Sequence, residues 1–258
     1  MNQEDLKKIA IDVSLSISKV RKSRNFSLNP FPHFFIDNFF DDKFIEKIIS
    51  SFPSINSNLW DISNDKDIEV KMRSKWESEF DIPENIVDAV RVMNSSYFLK
   101  ALSKTMNINK LMPDPYFTGG GLNVTARGGL LDVHVDGNYH DASGLNRRVN
   151  AILYLNPNWE KDWGGEFGLY DNKGENLVKK ISPINNRLIV FDTNDFSFHG
   201  LPEPLNFPKG QFRRSIILYY YTKEPRPNSD VSIEKPHSAL WKKRGWLDKK
   251  GNQTRNFQ

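Results

Sequence analysis

Two of the five histidines stand where a metal ion could be held. In His134-Val135-Asp136 an imidazole and a carboxylate lie two residues apart. On an extended strand, residues i and i+2 point to the same face, so both side chains can converge on one ion without special backbone. His199, in Phe196-Ser197-Phe198-His199-Gly200, follows the apolar run Leu188-Ile189-Val190-Phe191 and a short turn. Two histidines and one carboxylate on one side of an ion form the facial triad of non-haem iron(II) oxygenases, with the opposite positions open. The same donors also bind zinc. A buried, hydrogen-bonded histidine that binds nothing is the bland alternative.

The other histidines invite plainer readings. His140 lies in a loop rich in Gly, Asn, Asp and Ser just past the metal motif, which makes it a loop residue at the substrate mouth rather than a ligand. His33 and His237 have no ligand partner by spacing. Gly119-Gly120-Gly121 and Gly128-Gly129 are followed by no Lys-Ser/Thr and therefore form turns or close approaches, not a phosphate loop. Trp163, Phe167 and Tyr170 are expected in the core. The run Trp241-Lys242-Lys243-Arg244-Gly245-Trp246, with Lys249 and Lys250 beyond it, could stack on nucleic acid. A solvated tail pinned by two tryptophans is the preferred reading.

Bulk properties narrow the function classes. The 258 residues suit one large β-rich domain with helical additions, 38% of them apolar and 26% charged. No run approaches the ~20 apolar residues of a membrane span. The N-terminus has no secretory apolar region, and Glu4 and Asp5 argue against a transit peptide. The absence of cysteine removes disulfides, thiolate metal sites and cysteine nucleophiles, and suits a cytoplasmic location. A net charge of +4 is too modest to indicate nucleic acid as a partner without a clustered basic face. Oligomeric state is not encoded in any of these features.

The elements that must position the site change character along the chain. Residues 1–116 are helical in spacing: Leu6, Ile9, Val13, Ile17 and Val20 in one helix, and Phe44, Ile45, Ile48 and Ile49 in another capped by Asp41 or Asp42. Pro83 opens a third and Ser95 or Ser96 caps a fourth. Residues 54–80 are polar and poorly periodic, and predict a long loop with room for short strands. From Gly119, short alternating runs predict strands at 121–126, 130–136, 148–155, 166–170, 187–191 and 213–221. Their spacing suggests a sandwich or barrel. A Pro- and Lys-rich tail, 223–258, is expected to wrap the surface. Helices first and strands later can share one core, so a single domain over 1–258 is expected.

These blocks, in this order, resemble the prolyl-hydroxylase-like branch of the 2-oxoglutarate and iron(II)-dependent dioxygenases. The likeness covers about residues 117–222. It rests on His134-Val135-Asp136, on Arg147 to Asn156 ending in Tyr154-Leu155-Asn156, and on Trp163-Gly164-Gly165-Glu166. It continues through Pro183, Asn186, Arg187 and His199-Gly200 to Arg213-Arg214-Ser215 and the strand to Tyr221. The early Pro32-His33-Phe34-Phe35-Ile36-Asp37 is also similar to the entry of related bacterial enzymes. The resemblance implies a double-stranded β-helix (jelly-roll) core, mainly β with flanking α, preceded by N-terminal helices. It implies iron(II) on His134, Asp136 and His199, with 2-oxoglutarate and O2 as co-substrates and ascorbate as an optional accessory. Arg213 is the implied anchor for the distal carboxylate of 2-oxoglutarate, and Tyr154 a second contact to it or an ordinary core tyrosine. Alternation places Arg213, Ser215, Ile217 and Tyr219 on one strand face and Arg214 on the other. Asn150, Ile152 and Tyr154 share a face as well, and Asn123 is a candidate cavity residue.

The implied reaction is hydroxylation of an unactivated C–H bond with decarboxylation of 2-oxoglutarate to succinate. A prolyl residue in a peptide or protein is the leading substrate, and a free amino acid or small natural product the alternative. Two readings from other classes stay open: a zinc hydrolase using the same ligands, and a non-catalytic jelly-roll binding module.

Overall fold

The computed structural model describes residues 1–203 and 205–243. Among the described residues four α-helices alternate with the first strands: α1 (Gln3–Val20), α2 (Asp42–Ser50), α3 (Glu84–Met93) and α4 (Ser96–Met106). Their starts follow local chemistry. The side chains of Asn2, Asp41 and Ser95 accept the otherwise orphaned N–H groups of Asp5, Phe44 and Phe98. Helix α4 ends where Asn107 turns left-handed at φ 58°. On α1, Ile9, Ala10, Val13, Ile17 and Val20 form the buried stripe.

Fifteen strands run from β1 (Phe26–Ser27), β2 (His33–Ile36), β3 (Trp60–Asp65) and β4 (Glu69–Ser74) to β5 (Met112–Pro113). Next come β6 (Gly121–Thr125), β7 (Leu130–Leu131), β8 (His134–Val135), β9 (Asn146–Tyr154) and β10 (Phe167–Tyr170). The last five are β11 (Leu177–Ile181), β12 (Arg187–Asp192), β13 (His199–Gly200), β14 (Arg213–Thr222) and β15 (Leu240–Trp241). They make two sheets, a large one ordered β1-β2-β12-β9-β14-β6-β4-β3 and a small one ordered β11-β10-β13-β8-β15. The architecture is the expected mainly β jelly roll with helices before it.

The large sheet has two differently used faces. From β9 and β14, Val149, Ala151, Leu153, Ile216, Leu218 and Tyr220 pack with the helices in the main core. The alternate residues Asn150, Ile152, Ser215, Ile217 and Tyr219 face a cavity between the sheets. Register locks this arrangement, with Ile152 opposite both Ile189 and Ile217. A one-residue slip would turn the cavity face into the core.

Three expectations need correction. Residues 54–80 are more than a loop with short strands: β3 and β4 pair over six residues each as a hairpin on the sheet edge. One face of that hairpin meets water and the other a charged cavity, so no apolar alternation marks it. The single strand expected at 130–136 is broken, with β7 pairing β4 in the large sheet and β8 joining the small one. The tail does not simply wrap the surface, because β15 pairs with β8. Trp246, Lys249 and Lys250 lie outside the described residues. Strand β11 was not foreseen; its Leu177-Val178-Lys179-Lys180 is mostly exposed. Among the described residues no helix is long and apolar enough to cross a membrane.

Asp192, at the end of β12, is buried with no hydrogen-bond partner on Oδ1. Burial pushes its carboxyl up to about 6, against the pull of Arg148. A raised carboxyl favours the neutral acid in the fold, so the stability it contributes is present below pH ~4 and lost as pH rises through ~6. Asp192→Asn is therefore expected to raise the urea midpoint at pH 8 and to leave it nearly unchanged at pH 4.

Candidate metal centre and co-substrate pocket

Strand β8 and strand β13 lie antiparallel with His134 directly opposite His199. Their rings sit 4.4 Å apart between centroids. Asp136 follows β8 by one residue, and its Oδ1 lies 3.6 Å from His134 Nε2 and 3.8 Å from His199 Nε2. One ligand atom from each residue falls within 4.8 Å of the other two, and all three residues are buried. The tripeptide and the distant histidine are thus brought together as expected.

The tautomers are set by the backbone. His134 Nδ1–H donates to the carbonyl of Asp132 at 2.8 Å, and His199 Nδ1–H donates to that of Ser197 at 2.9 Å. Each Nε2 is left as a bare lone pair beside Asp136, which is the state a metal needs. Burial lowers the His199 imidazole to about 4, with the neighbouring His134 adding to the effect, so the ring is neutral at pH 7. Burial opposes ionisation of Asp136, yet His199 and His134 hold its carboxyl well below the usual range. Two imidazoles with inward-facing Nε2 atoms and one carboxylate are a donor set that fits iron(II).

Asn150 on β9 completes the cluster and was not foreseen as a neighbour of the metal residues. Its Nδ2–H donates to Asp136 Oδ2 at 3.1 Å. The amide must present its nitrogen there, because its oxygen and a carboxylate are both acceptors. That bond leaves Asp136 Oδ1 toward the two histidines. Asn150 Oδ1 is buried without a protein partner beside the cavity. Only the strand-face reading carried a signal for this residue.

The three candidate ligands line a cavity of about 290 Å³. Arg213 of β14 enters the same cavity and is 9% exposed. Its Nε donates to the Gly165 carbonyl at 2.8 Å and its Nη2 to Tyr154 Oη at 2.9 Å. Among the described residues no carboxylate pairs with this guanidinium. A buried cation without a counter-ion is costly unless a ligand supplies one, so the pocket fits a small dicarboxylate such as 2-oxoglutarate. Gly165 is required here: at φ 73°, a Cβ would meet Leu205 at 2.4 Å and Arg213 Cδ at 3.2 Å. Arg214 points elsewhere, over the Phe52 ring at 5.4 Å. Asn123 lines the cavity as suggested.

Other predictions fare differently. Phe167 is buried but also lines the cavity, with its ring 5.4 Å from that of His199. His140 is not at the substrate mouth. It is buried, its Nε2–H donates to Asp114 at 2.8 Å, and its Nδ1 accepts from the N–H groups of Ala142 and Ser143. It pins a turn. His33 is also buried, with Nδ1 against the Phe31 carbonyl. The far wall was hidden in the supposed loop: Glu69, Lys71 and Arg73 of β4 line the cavity, Lys71 pairing with Glu69 at 2.8 Å.

Comparison with known proteins agrees with this geometry. The model of the 2OG-Fe(II) oxygenase superfamily matches residues 119–221. A mouse protein, prolyl 3-hydroxylase OGFOD1, is 38% identical over 86 residues, covering 32% of this chain and 15% of its own length. The chain thus corresponds to a small part of that relative. A prolyl-4-hydroxylase from Pseudomonas putida superposes with a TM-score of 0.56 at 15% identity, over 82% of this chain and 99% of its own. A prolyl hydroxylase from Trichoplax adhaerens, solved with a hypoxia-inducible-factor peptide fragment, gives 0.54 at 18% identity, over 86% and 94%. At these identities the structural likenesses establish the fold. The segment 119–221, which carries the triad, Tyr154 and Arg213, is the part of the chain that matches the 2OG-Fe(II) oxygenase superfamily.

Proposed function

We propose that this protein is an iron(II)- and 2-oxoglutarate-dependent dioxygenase that hydroxylates an unactivated C–H bond. The observation that carries the reading is the pairing, in one cavity, of a His-Asp-His cluster with a buried guanidinium lacking a carboxylate. A zinc hydrolase has no need of that second feature, and a binding module needs neither.

When bound, iron(II) with 2-oxoglutarate supplies the oxidising power for C–H hydroxylation, O2 being consumed and succinate and carbon dioxide released. The protein's contribution is positional. His134 and His199 present Nε2 lone pairs, and Asp136 presents Oδ1 while Asn150 occupies Oδ2. These three donors would hold the ion from one side and leave room beside it for co-substrates. Arg213 would receive the distal carboxylate, and Tyr154 Oη, already hydrogen-bonded to Nη2, holds the fork in place. Phe167, Ile152 and Ile217 give the cavity an apolar side that limits water. Lys71, Arg73 and Arg147 line its other side, where substrate would be met.

A peptidyl proline is the substrate class we favour. The support is the naming of the mouse relative and the solved structures as prolyl hydroxylases. A free amino acid or small natural product would use the same chemistry.

Purified protein with iron(II) and ascorbate is expected to convert 2-oxoglutarate to succinate slowly without added substrate, and His134→Ala to abolish this. Arg213→Ala is expected to raise the KM for 2-oxoglutarate about 100-fold, since hydrogen bonds to a charged group are worth up to ~3 kcal/mol. No succinate, together with no iron(II)-dependent 2-oxoglutarate binding, would refute the proposal. Asn150→Ala should weaken Mn(II) binding by about 10-fold, the effect of losing an outer-shell partner, with calorimetry as the check.

A further inference from the structure

One wall of the metal cavity comes from beyond the segment that matches the oxygenase family. That match ends at residue 221, whereas β15 begins at Leu240. Leu240 pairs with Val135 and Trp241 with His134, so the late segment adds an edge strand beside the one that carries the first histidine. The Trp241 indole stacks on the His134 imidazole, with centroids 4.3 Å apart and planes at 29°. Ala239 and Trp241 line the cavity.

The segment leading to Trp241 is held firmly. Buried Asp195 accepts the N–H groups of Ser232 and Ile233 at 2.7 and 3.0 Å. Asn138 accepts from the His237 N–H at 2.9 Å and donates to the Lys235 carbonyl at 3.1 Å. Beyond the indole, the Lys242 N–H donates to the Val133 carbonyl at 2.8 Å. Gly137 makes the approach possible, because a Cβ there would stand 2.9 Å from the His237 carbonyl oxygen. The chain is therefore hydrogen-bonded on both sides of a tryptophan laid flat on a candidate metal ligand.

We propose that Trp241 is a positioning residue for the metal centre. Its ring covers one face of the His134 imidazole, keeps Nε2 aimed at His199 and Asp136, and shields the metal–nitrogen bond from water. Shells around a metal site act in these two ways, orienting the ligand and controlling solvent access. The Nδ1–H bond to Asp132 fixes which nitrogen is bare but does not by itself hold the plane of the ring. A flat neighbour on its face adds that constraint. Trp241 is only partly buried, and it is not part of the main core, so its loss need not unfold the chain. The inference rests on the proposed metal role of His134.

The test uses the full chain with Co(II) as probe and requires no turnover. Wild type, Trp241→Ala and Trp241→Phe are compared for Co(II) affinity by titration and for Co(II) release to excess EDTA by stopped flow, with the metal-free Tm as control. Trp241→Ala is expected to bind about 10-fold more weakly, mostly through faster release, at little change in Tm. Trp241→Phe, which keeps a flat ring, is expected to stay within about 2-fold of wild type. Wild-type affinity and release in Trp241→Ala would overturn the inference while leaving the oxygenase reading intact. Equal loss in both variants would also overturn it, since a stacking ring remains in one of them. Failure of wild type itself to bind Co(II) would overturn the metal reading and the inference with it.

Discussion

The site depends on where two protons are parked. The carbonyls of Asp132 and Ser197 each take the Nδ1–H of the histidine two residues later. Both imidazoles therefore turn their bare nitrogens inward, and the antiparallel pairing of β8 with β13 brings those nitrogens to one carboxylate. Burial keeps one of the rings from becoming a cation: His199 is held to about 4 and is neutral at pH 7. Asn150 then decides which oxygen of Asp136 faces the cluster.

The sheets exist in a form that serves this constraint. Strands β9 and β14 must be apolar on the helix side and chemically useful on the other, and strict alternation delivers both from one sequence. The same alternation places Arg213 inside while Arg214 leaves the cavity and stacks on Phe52. A buried guanidinium would be a liability in a closed core. Here two protein oxygens hold it at an open cavity, which is the basis for proposing that it receives an anion.

Much of the site was legible in the sequence because it is written in short spacings. His134 and Asp136 are two residues apart, and Arg213, Ser215 and Ile217 keep the period of a strand. What was not legible depends on pairings without local signal. Strands β3 and β4 have water on one face and Glu69, Lys71 and Arg73 on a polar cavity face, so no hydrophobic pattern separates them from a loop. His140 is explained by Asp114, 26 residues earlier, and nothing near either residue announces the other. Trp241 meets His134 across more than a hundred residues, through a two-residue strand too short to show a period.

In the proposed function the triad and Arg213 jointly hold iron(II) and 2-oxoglutarate. The most direct measurement is an anaerobic absorption titration of the purified protein. Iron(II) chelated by the 2-oxo acid gives a visible charge-transfer band that neither component gives alone. The account predicts that this band appears only with both present, saturates at one equivalent of each, and vanishes in Asp136→Ala. A spectrum that stays blank in the visible with both ligands in excess would contradict it.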